Sequence, residues 1–327
     1  MKDIKKIDLK ILQELLKDGR KSLTILAEEL HESKDTIWKH YKEMVKAGII
    51  VGATTQFNYT KFGYTGVATI LLSVESQHTN NVFERLNRIP DIQCFRYYNS
   101  KYNLGAISTL KNLEDLEYVK RVISERSSIN EMNIHLWTDV RNIPENILSG
   151  TLENKTGKAP EKSLKDTIET SKTPAKIDEI DIQIVEKLTK NGRMPFRKIA
   201  QEMGVSTDTV ARRYEKLFKN NFVKVSIQFN PRKLGYQGIL NIRIAIANQS
   251  ETVEIAEKLA KIPGVTFVVK MRLGNYDLHV ASLVKDCEDI FAINDAIEKI
   301  PNVKRIDAIM TRVPPFWPGP RQYISTF

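Results

Sequence analysis

Apolar and polar positions follow two different periods along this chain, and the two periods appear in the same order twice. Near the start, Ile7, Ile11, Leu12 and Leu15 recur at helical spacing, and Gly19 closes the run. Ser22 stands as N-cap of a second short helix carrying Leu23, Leu26, Ala27 and Leu30. Ser33 caps a third, with Ile37, Tyr41 and Met44 inward and Gly48 at its end. The same pattern returns later, with Gly192 as stop, Pro195 at the second helix start, Ser206 as cap, and Val210, Tyr214 and Leu217 as core. The short joints His31-Glu32 and Gly204-Val205 fit a helix-turn-helix connection. A β-rich segment follows each third helix, Ile49 to Phe57 and Phe222 to Phe229, which predicts a wing and its continuation toward the next domain.

Beyond each of these segments strands and helices alternate. In the second half, Ile239–Ala247, Val265–Met271, Leu278–Val284 and Val303–Met310 read as strands, and Thr252–Ile262 and Cys287–Ile300 as helices. That order, β-α-β-β-α-β, is the ferredoxin-like arrangement. The first half follows through Val67–Val74, Val82–Ile89, Ile92–Tyr98, Leu104–Leu110, Leu113–Ser124 and Ile129–Thr138. Residue matches bear out the repetition. Ile7-Asp8 through Gly19-Arg20 lies over Ile180-Asp181 through Gly192-Arg193 at an offset of 173 residues, and Tyr102-Asn103-Leu104 answers Tyr276-Asp277-Leu278. The chain is a tandem duplication.

The fold class expected is therefore α+β, two winged helix-turn-helix domains alternating with two ferredoxin-like domains. The boundaries read are 1–58, 59–149, a linker over 150–176, 177–230, 231–312, and a Pro/aromatic tail over 313–327. The linker, rich in Lys, Glu, Thr, Ser and Pro, cannot bury enough surface to offset its ordering entropy and reads as flexible. The tail's Val313-Pro314-Pro315-Phe316-Trp317-Pro318 is neither helix nor central strand, and is expected to wrap over a domain surface and bury Phe316 and Trp317.

Composition narrows the function class. With 41% apolar and 28% charged residues the chain is ordinary soluble-globular, with no membrane span and no signal-peptide apolar region. The two cysteines, Cys94 and Cys287, lie apart in apolar runs and read as buried, inert thiols in a cytosolic protein; neither metal nor cofactor is expected. The net charge of +10 favours an anionic partner, nucleic acid first. Most of the excess lies in residues 177–327, which carry +6.

A winged helix-turn-helix joined to a ferredoxin-like domain, with Gly274-Asn275-Tyr276-Asp277-Leu278 between its central strands, resembles the Lrp/AsnC (feast/famine) regulators. Ile180-Asp181, Gly192-Arg193, Ile199-Ala200, Ser206, Thr209-Val210 and Arg212-Arg213 carry the resemblance in the second copy, and the first copy matches more loosely. It implies regulation of transcription on double-stranded DNA, modulated by an amino acid or similar effector at Gly274, Asn275, Tyr276 and Asp277. It also implies self-association through the ferredoxin-like domains, here as a dimer joined covalently. His31 stands where the second copy has Gly204, and Lys101-Tyr102-Asn103 replaces the Gly-x-Tyr-Asp loop, so the second copy is the better effector candidate.

In a helix-turn-helix the second helix of the pair enters the major groove with its N-terminal side chains on base edges. The groove-facing candidates are Ser206, Thr207, Asp208, Arg212, Arg213 and Lys216, with Lys34, Lys39, His40 and Lys42 from the first copy. Arg212 and Arg213 are the best base or phosphate ligands, because a guanidinium grips guanine or phosphate in bidentate fashion. Trp38 either packs beneath the wing or makes an apolar base contact. Two rival readings share this layout. One is an enzyme similar to siroheme decarboxylases, with Arg96-Tyr97-Tyr98-Asn99 and Tyr102-Asn103 offering polar contacts to carboxylates. The other is a sensor that no longer touches DNA. Against the enzyme, the five histidines are scattered (His31, His40, His78, His135, His279) and nothing pairs a nucleophile with a base.

Overall fold

A computed structural model describes residues 4–89, 92–98, 100–124, 128–143, 146 and 177–319. The first copy runs α1 (Lys6–Lys17), α2 (Leu23–Leu30), α3 (Lys34–Lys46), β1 (Ile50–Phe57), β2 (Gly66–Val74), α4 (Thr79–Leu86), β3 (Ile92–Arg96), β4 (Leu104–Leu110), α5 (Leu113–Ser124) and β5 (Ile129–Asn142). The second runs α6 (Glu179–Lys190), α7 (Phe196–Met203), α8 (Thr207–Lys219), β6 (Val223–Phe229), β7 (Gly238–Ile246), α9 (Thr252–Ala260), β8 (Val265–Arg272), β9 (Leu278–Val284), α10 (Cys287–Glu298) and β10 (Val303–Arg312). These are the predicted elements in the predicted order, with α4 starting and ending three residues earlier than read, β3 shorter by two residues and β5 longer by four at its C-terminal end. The linker read over 150–176 and Asn99 lie outside the described residues.

The described residues fall into two compact units, and each unit takes its parts from both copies. The first unit holds both helix-turn-helix segments. Ser33 and Ser206 cap α3 and α8, their hydroxyls accepting from the N–H of Thr36 and of Thr209 at 3.0 Å, each cap worth about 1 kcal/mol. Ile37, Met44, Val210, Tyr214 and Leu217 are buried as the helical spacing requires, while Tyr41 is half-buried.

The segment after each third helix, read as the wing and its continuation, finds its partner in the other copy. It is a single strand, and β1 pairs antiparallel with β6 of the other copy, Ala53 opposite Ile227 and Thr55 opposite Val225. The pairing is reinforced crosswise. Gly19 at the end of α1 donates its N–H to the Val225 carbonyl at 2.8 Å, and Gly192 after α6 donates to the Ala53 carbonyl at 2.8 Å. A Cβ on Gly19 would stand 2.7 Å from the Ser226 carbonyl carbon, so the helix end can come this close only as glycine. Arg20 then reaches across to the carbonyls of Gly192 (2.6 Å) and Met194 (3.1 Å), with its guanidinium 4.0 Å over the Phe196 ring. The tail joins this unit: Trp317 and Phe229 exchange two backbone hydrogen bonds of 2.8 Å. Phe316 and Trp317 are half-buried rather than buried.

The second unit is one antiparallel sheet of eight strands, ordered β10-β7-β9-β8-β5-β2-β4-β3. Each half keeps the ferredoxin-like order, and β5 pairs with β8 to join them. The far edges also meet, where Tyr98 donates to the Met310 carbonyl at 3.4 Å. Alternation along each strand gives two buried faces. Leu240, Ile242, Ile244 and Ile246 pack with Ile255, Leu259, Ile293 and Ile297 under α9 and α10. Ala68, Ile70, Leu72 and Val74 do the same against Val82, Leu86, Val119 and Ile123 under α4 and α5. The intervening positions, Thr69, Leu71, His135, Asn241, Arg243, Met271 and His279, turn to the interior on the other face. Cys94 is half-buried, and burial pushes its thiol up to about 12. Cys287 corrects the reading of two buried thiols: it opens α10 and is exposed.

Candidate functional site

The recognition helices α3 and α8 divide the predicted DNA-facing residues into two groups. Thr207, Asp208 and Arg212 on α8 and Lys34, Lys39 and Lys42 on α3 are exposed. Arg212, Lys34 and Lys39 have no ion pair with a described residue, so their charge is available to an incoming phosphate or base edge. Lys42 lies 4.7 Å over the Trp38 ring, and that ring stacks on Tyr41 at 6.4 Å. Trp38 is 49% exposed and so does not pack beneath anything.

The other group is turned inward. Arg213 binds Asp178 and, at 3.2 Å, the fully buried Asp181, with Lys216 on the same carboxylate at 3.7 Å. The Arg213 guanidinium holds the Asp178 carboxyl below its ordinary range. In the first copy His40, which occupies the position of Arg213, meets the equally buried Asp8 at 2.8 Å. Asp8 and Asp181 close capping boxes on the first helices, their carboxylates accepting from the N–H of Lys5 (2.9 Å) and of Asp178 (3.3 Å). Arg213, Lys216 and His40 thus brace the third helix against the first. Ser206 is likewise committed, its hydroxyl serving as the helix cap.

The loop read as an effector site is also largely engaged. Asp277 accepts from the Ile246 N–H at 2.8 Å and from Gln249 at 3.4 Å, and the Tyr276 hydroxyl donates to Asp307 at 3.1 Å. Gly274 and Asn275 are exposed, with the Asn275 carbonyl accepting from Arg305 at 3.1 Å.

A second polar cluster, missed in the sequence, lies in the interior of the eight-stranded sheet. It encloses a cavity of about 10 Å³, room for one water molecule, lined by Thr69, Leu71, Tyr97, His135, Asn241, Arg243, Met271 and His279. His135 and His279, scattered in sequence, meet here from β5 and β9. Burial, then the neighbouring Arg243, lowers His135 to about 4; burial, then Arg243 and His135, lowers His279 to about 3. The available signal was Asn241 and Arg243 at alternate positions of the apolar strand β7, two polar groups on one buried face. Among the described residues no group of three or more His, Cys, Asp or Glu could hold a metal. No described helix is long and apolar enough to cross a membrane.

Comparisons with known proteins agree with the duplicated layout. A family model described as the AsnC-type helix-turn-helix domain matches residues 177–217, and one described as a winged helix-turn-helix DNA-binding domain matches residues 4–51. The HTH-type transcriptional regulator LysM of Saccharolobus solfataricus is 37% identical over 136 residues, covering 40% of this chain and 89% of its own length. The HTH-type transcriptional regulator FL11 of Pyrococcus abyssi is 31% identical over 129 residues, 39% of this chain and 84% of its own. Among solved structures, the siroheme decarboxylase NirDL superposes with a TM-score of 0.65 at 16% identity, over 98% of this chain and 94% of that one. At that identity the likeness is one of fold: both chains share the two-copy architecture from end to end.

Proposed function

Because this chain belongs to the Lrp/AsnC-type helix-turn-helix transcriptional regulators, in a tandemly duplicated form, we propose that it binds specific double-stranded DNA through α3 and α8 and so controls transcription. The observation that carries this reading is the exposed N-terminal face of α8, where Thr207, Asp208 and Arg212 stand clear of the domain. Arg212 reads a base edge or clamps a phosphate, and Lys34, Lys39 and Lys42 supply phosphate contacts from the first copy. Arg213, Lys216, His40 and Ser206 act indirectly, by holding the recognition helices in place. A small effector, an amino acid by family resemblance, meets the exposed Gly274–Asn275 end of its loop, since Tyr276 and Asp277 are engaged.

DNA binding by wild type, Arg212→Ala and Arg213→Ala at low and physiological salt tests this. Arg212→Ala should weaken binding at least tenfold with an unchanged melting temperature. Arg213→Ala should lower the melting temperature first. Salt-insensitive binding, or none by the wild type, overturns the proposal.

The end-to-end likeness to NirDL supports a second reading, in which the sheet interior accepts a tetrapyrrole. The interior cavity, about 10 Å³, is far too small for a macrocycle unless strands part. Titration with an iron–uroporphyrin analogue separates the readings: a stoichiometric shift in its absorbance favours the second, and an unchanged spectrum favours the regulator.

A further inference from the structure

The sheet interior holds a charge that its surroundings do not satisfy. Arg243, on β7, is 5% exposed, and Nε and Nη1 have no hydrogen-bond partner among the described residues. A guanidinium stays protonated and carries five donors, so leaving them unmet in a protein interior costs several kcal/mol. One carboxylate is near, Asp307 on the neighbouring β10, 3.2 Å from Nη2. It accepts from Tyr276 as well and is part-exposed, and the contact has the distance of an ion pair without the alignment of a hydrogen bond. Three rings surround the guanidinium, Tyr97 at 5.5 Å, Tyr102 at 5.8 Å and Tyr276 at 5.7 Å. Their faces attract the cation but cannot take its in-plane N–H groups.

Beside it His135 is fully buried, with neither ring nitrogen hydrogen-bonded to a described residue. Its ring is held by Tyr276, 5.7 Å away, and by Gly274, where a Cβ would come 2.6 Å from Nε2. His279 is differently placed. Asn241 spends its amide N–H groups on Ile239 and Thr311, so its carbonyl oxygen accepts from His279 Nε2 at 3.3 Å. The cavity thus presents the unmet N–H groups of Arg243 and a His135 N–H to one small volume, with apolar Leu71 and Met271 around it. Such a volume suits a group that accepts several hydrogen bonds and carries one negative charge.

We propose that this interior is a binding site for a small monoatomic anion, a halide, held by Arg243 and His135. The anion accepts from Arg243 and His135 and balances the buried guanidinium, and Gly274 and Tyr276 close the site from the loop between β8 and β9. This site is separate from the DNA-facing helices and does not depend on the DNA-binding reading.

The test uses the full chain at pH 7 and constant ionic strength, with gluconate exchanged stepwise for chloride or for carbon-13 formate. A saturable rise in melting temperature with chloride is expected for the wild type, with matching line broadening of the chloride resonance. Arg243→Met and His135→Phe should each weaken that binding at least tenfold. Saturation by chloride and not by formate supports the halide site, and equal saturation by formate overturns it. No saturable response in the wild type, or one that survives both substitutions unchanged, overturns the proposal. If Arg243→Met does not fold, His135→Phe and the wild-type resonance titration decide.

Discussion

At the residue scale, equivalent positions of the two copies carry out one task with different chemistry. His40 and Arg213 both hold the buried Asp of the first helix, Asp8 or Asp181. Removing Arg213 would leave Asp181 with Lys216 at 3.7 Å as its remaining ion pair among the described residues. Arg213→Ala is therefore expected to cost roughly 2 kcal/mol, read as a lower urea midpoint. The interior histidines give a pH dependence. His135 has its ordinary value of 6.5 when unfolded and about 4 when folded, so the unfolded chain binds the extra proton. Stability is whole above pH 6.5 and falls as pH drops toward 4, by about 2 kcal/mol for His135 between pH 7 and pH 5. Urea melts in gluconate should show this decline, and His135→Phe should make it shallower while leaving the part due to His279, whose value falls to about 3.

At the scale of elements, the antiparallel ribbon β1–β6 is the joint of the helix-turn-helix unit, and two glycines set its tightness. A Cβ on Gly19 would press on strand backbone at Ser226 and Ile227, 2.7 to 2.9 Å away, where no side chain can swing aside. Gly19→Ala is expected to cost about 2 kcal/mol or more, measured by thermal melting, with loss of cooperativity between the copies. The turn into α3 shows the opposite case. His31 adopts a left-handed φ of 56° where the second copy has Gly204 at 69°. A side chain there costs on the order of 1 kcal/mol, so His31→Gly should raise the melting temperature. An unchanged or lower melting temperature would show that His31 is compensated elsewhere.

At the scale of the whole molecule, duplication lets one chain form internally the pairings that separate copies would otherwise supply. β1 pairs with β6 in one unit and β5 with β8 in the other. Operator symmetry mirrors protein symmetry, and the two helices proposed to meet DNA differ: α3 carries Trp38, Lys39 and Lys42 at the positions where α8 carries Ala211, Arg212 and Glu215. Selection from random DNA should therefore return two unlike half-sites, with the α8 half-site contributing more affinity. Perfect palindromes throughout would overturn this.

The sequence by itself determined the elements, their order and the duplication. Helical and strand periods are local properties, and the caps at Ser33 and Ser206 act within three residues. It also marked the exposed face of α8, because Val210, Tyr214 and Leu217 bury the opposite one. The tertiary structure decided what depends on contacts between the copies. Local pattern could not tell that the strand after each third helix pairs with its counterpart in the other copy, since a strand's partner is set by long-range register. Nor could spacing separate Arg212 from Arg213, because the buried Asp181 that claims Arg213 lies 32 residues away. His135, Arg243 and His279 met for the same reason: only the closed sheet brings β5, β7 and β9 around one small polar cavity.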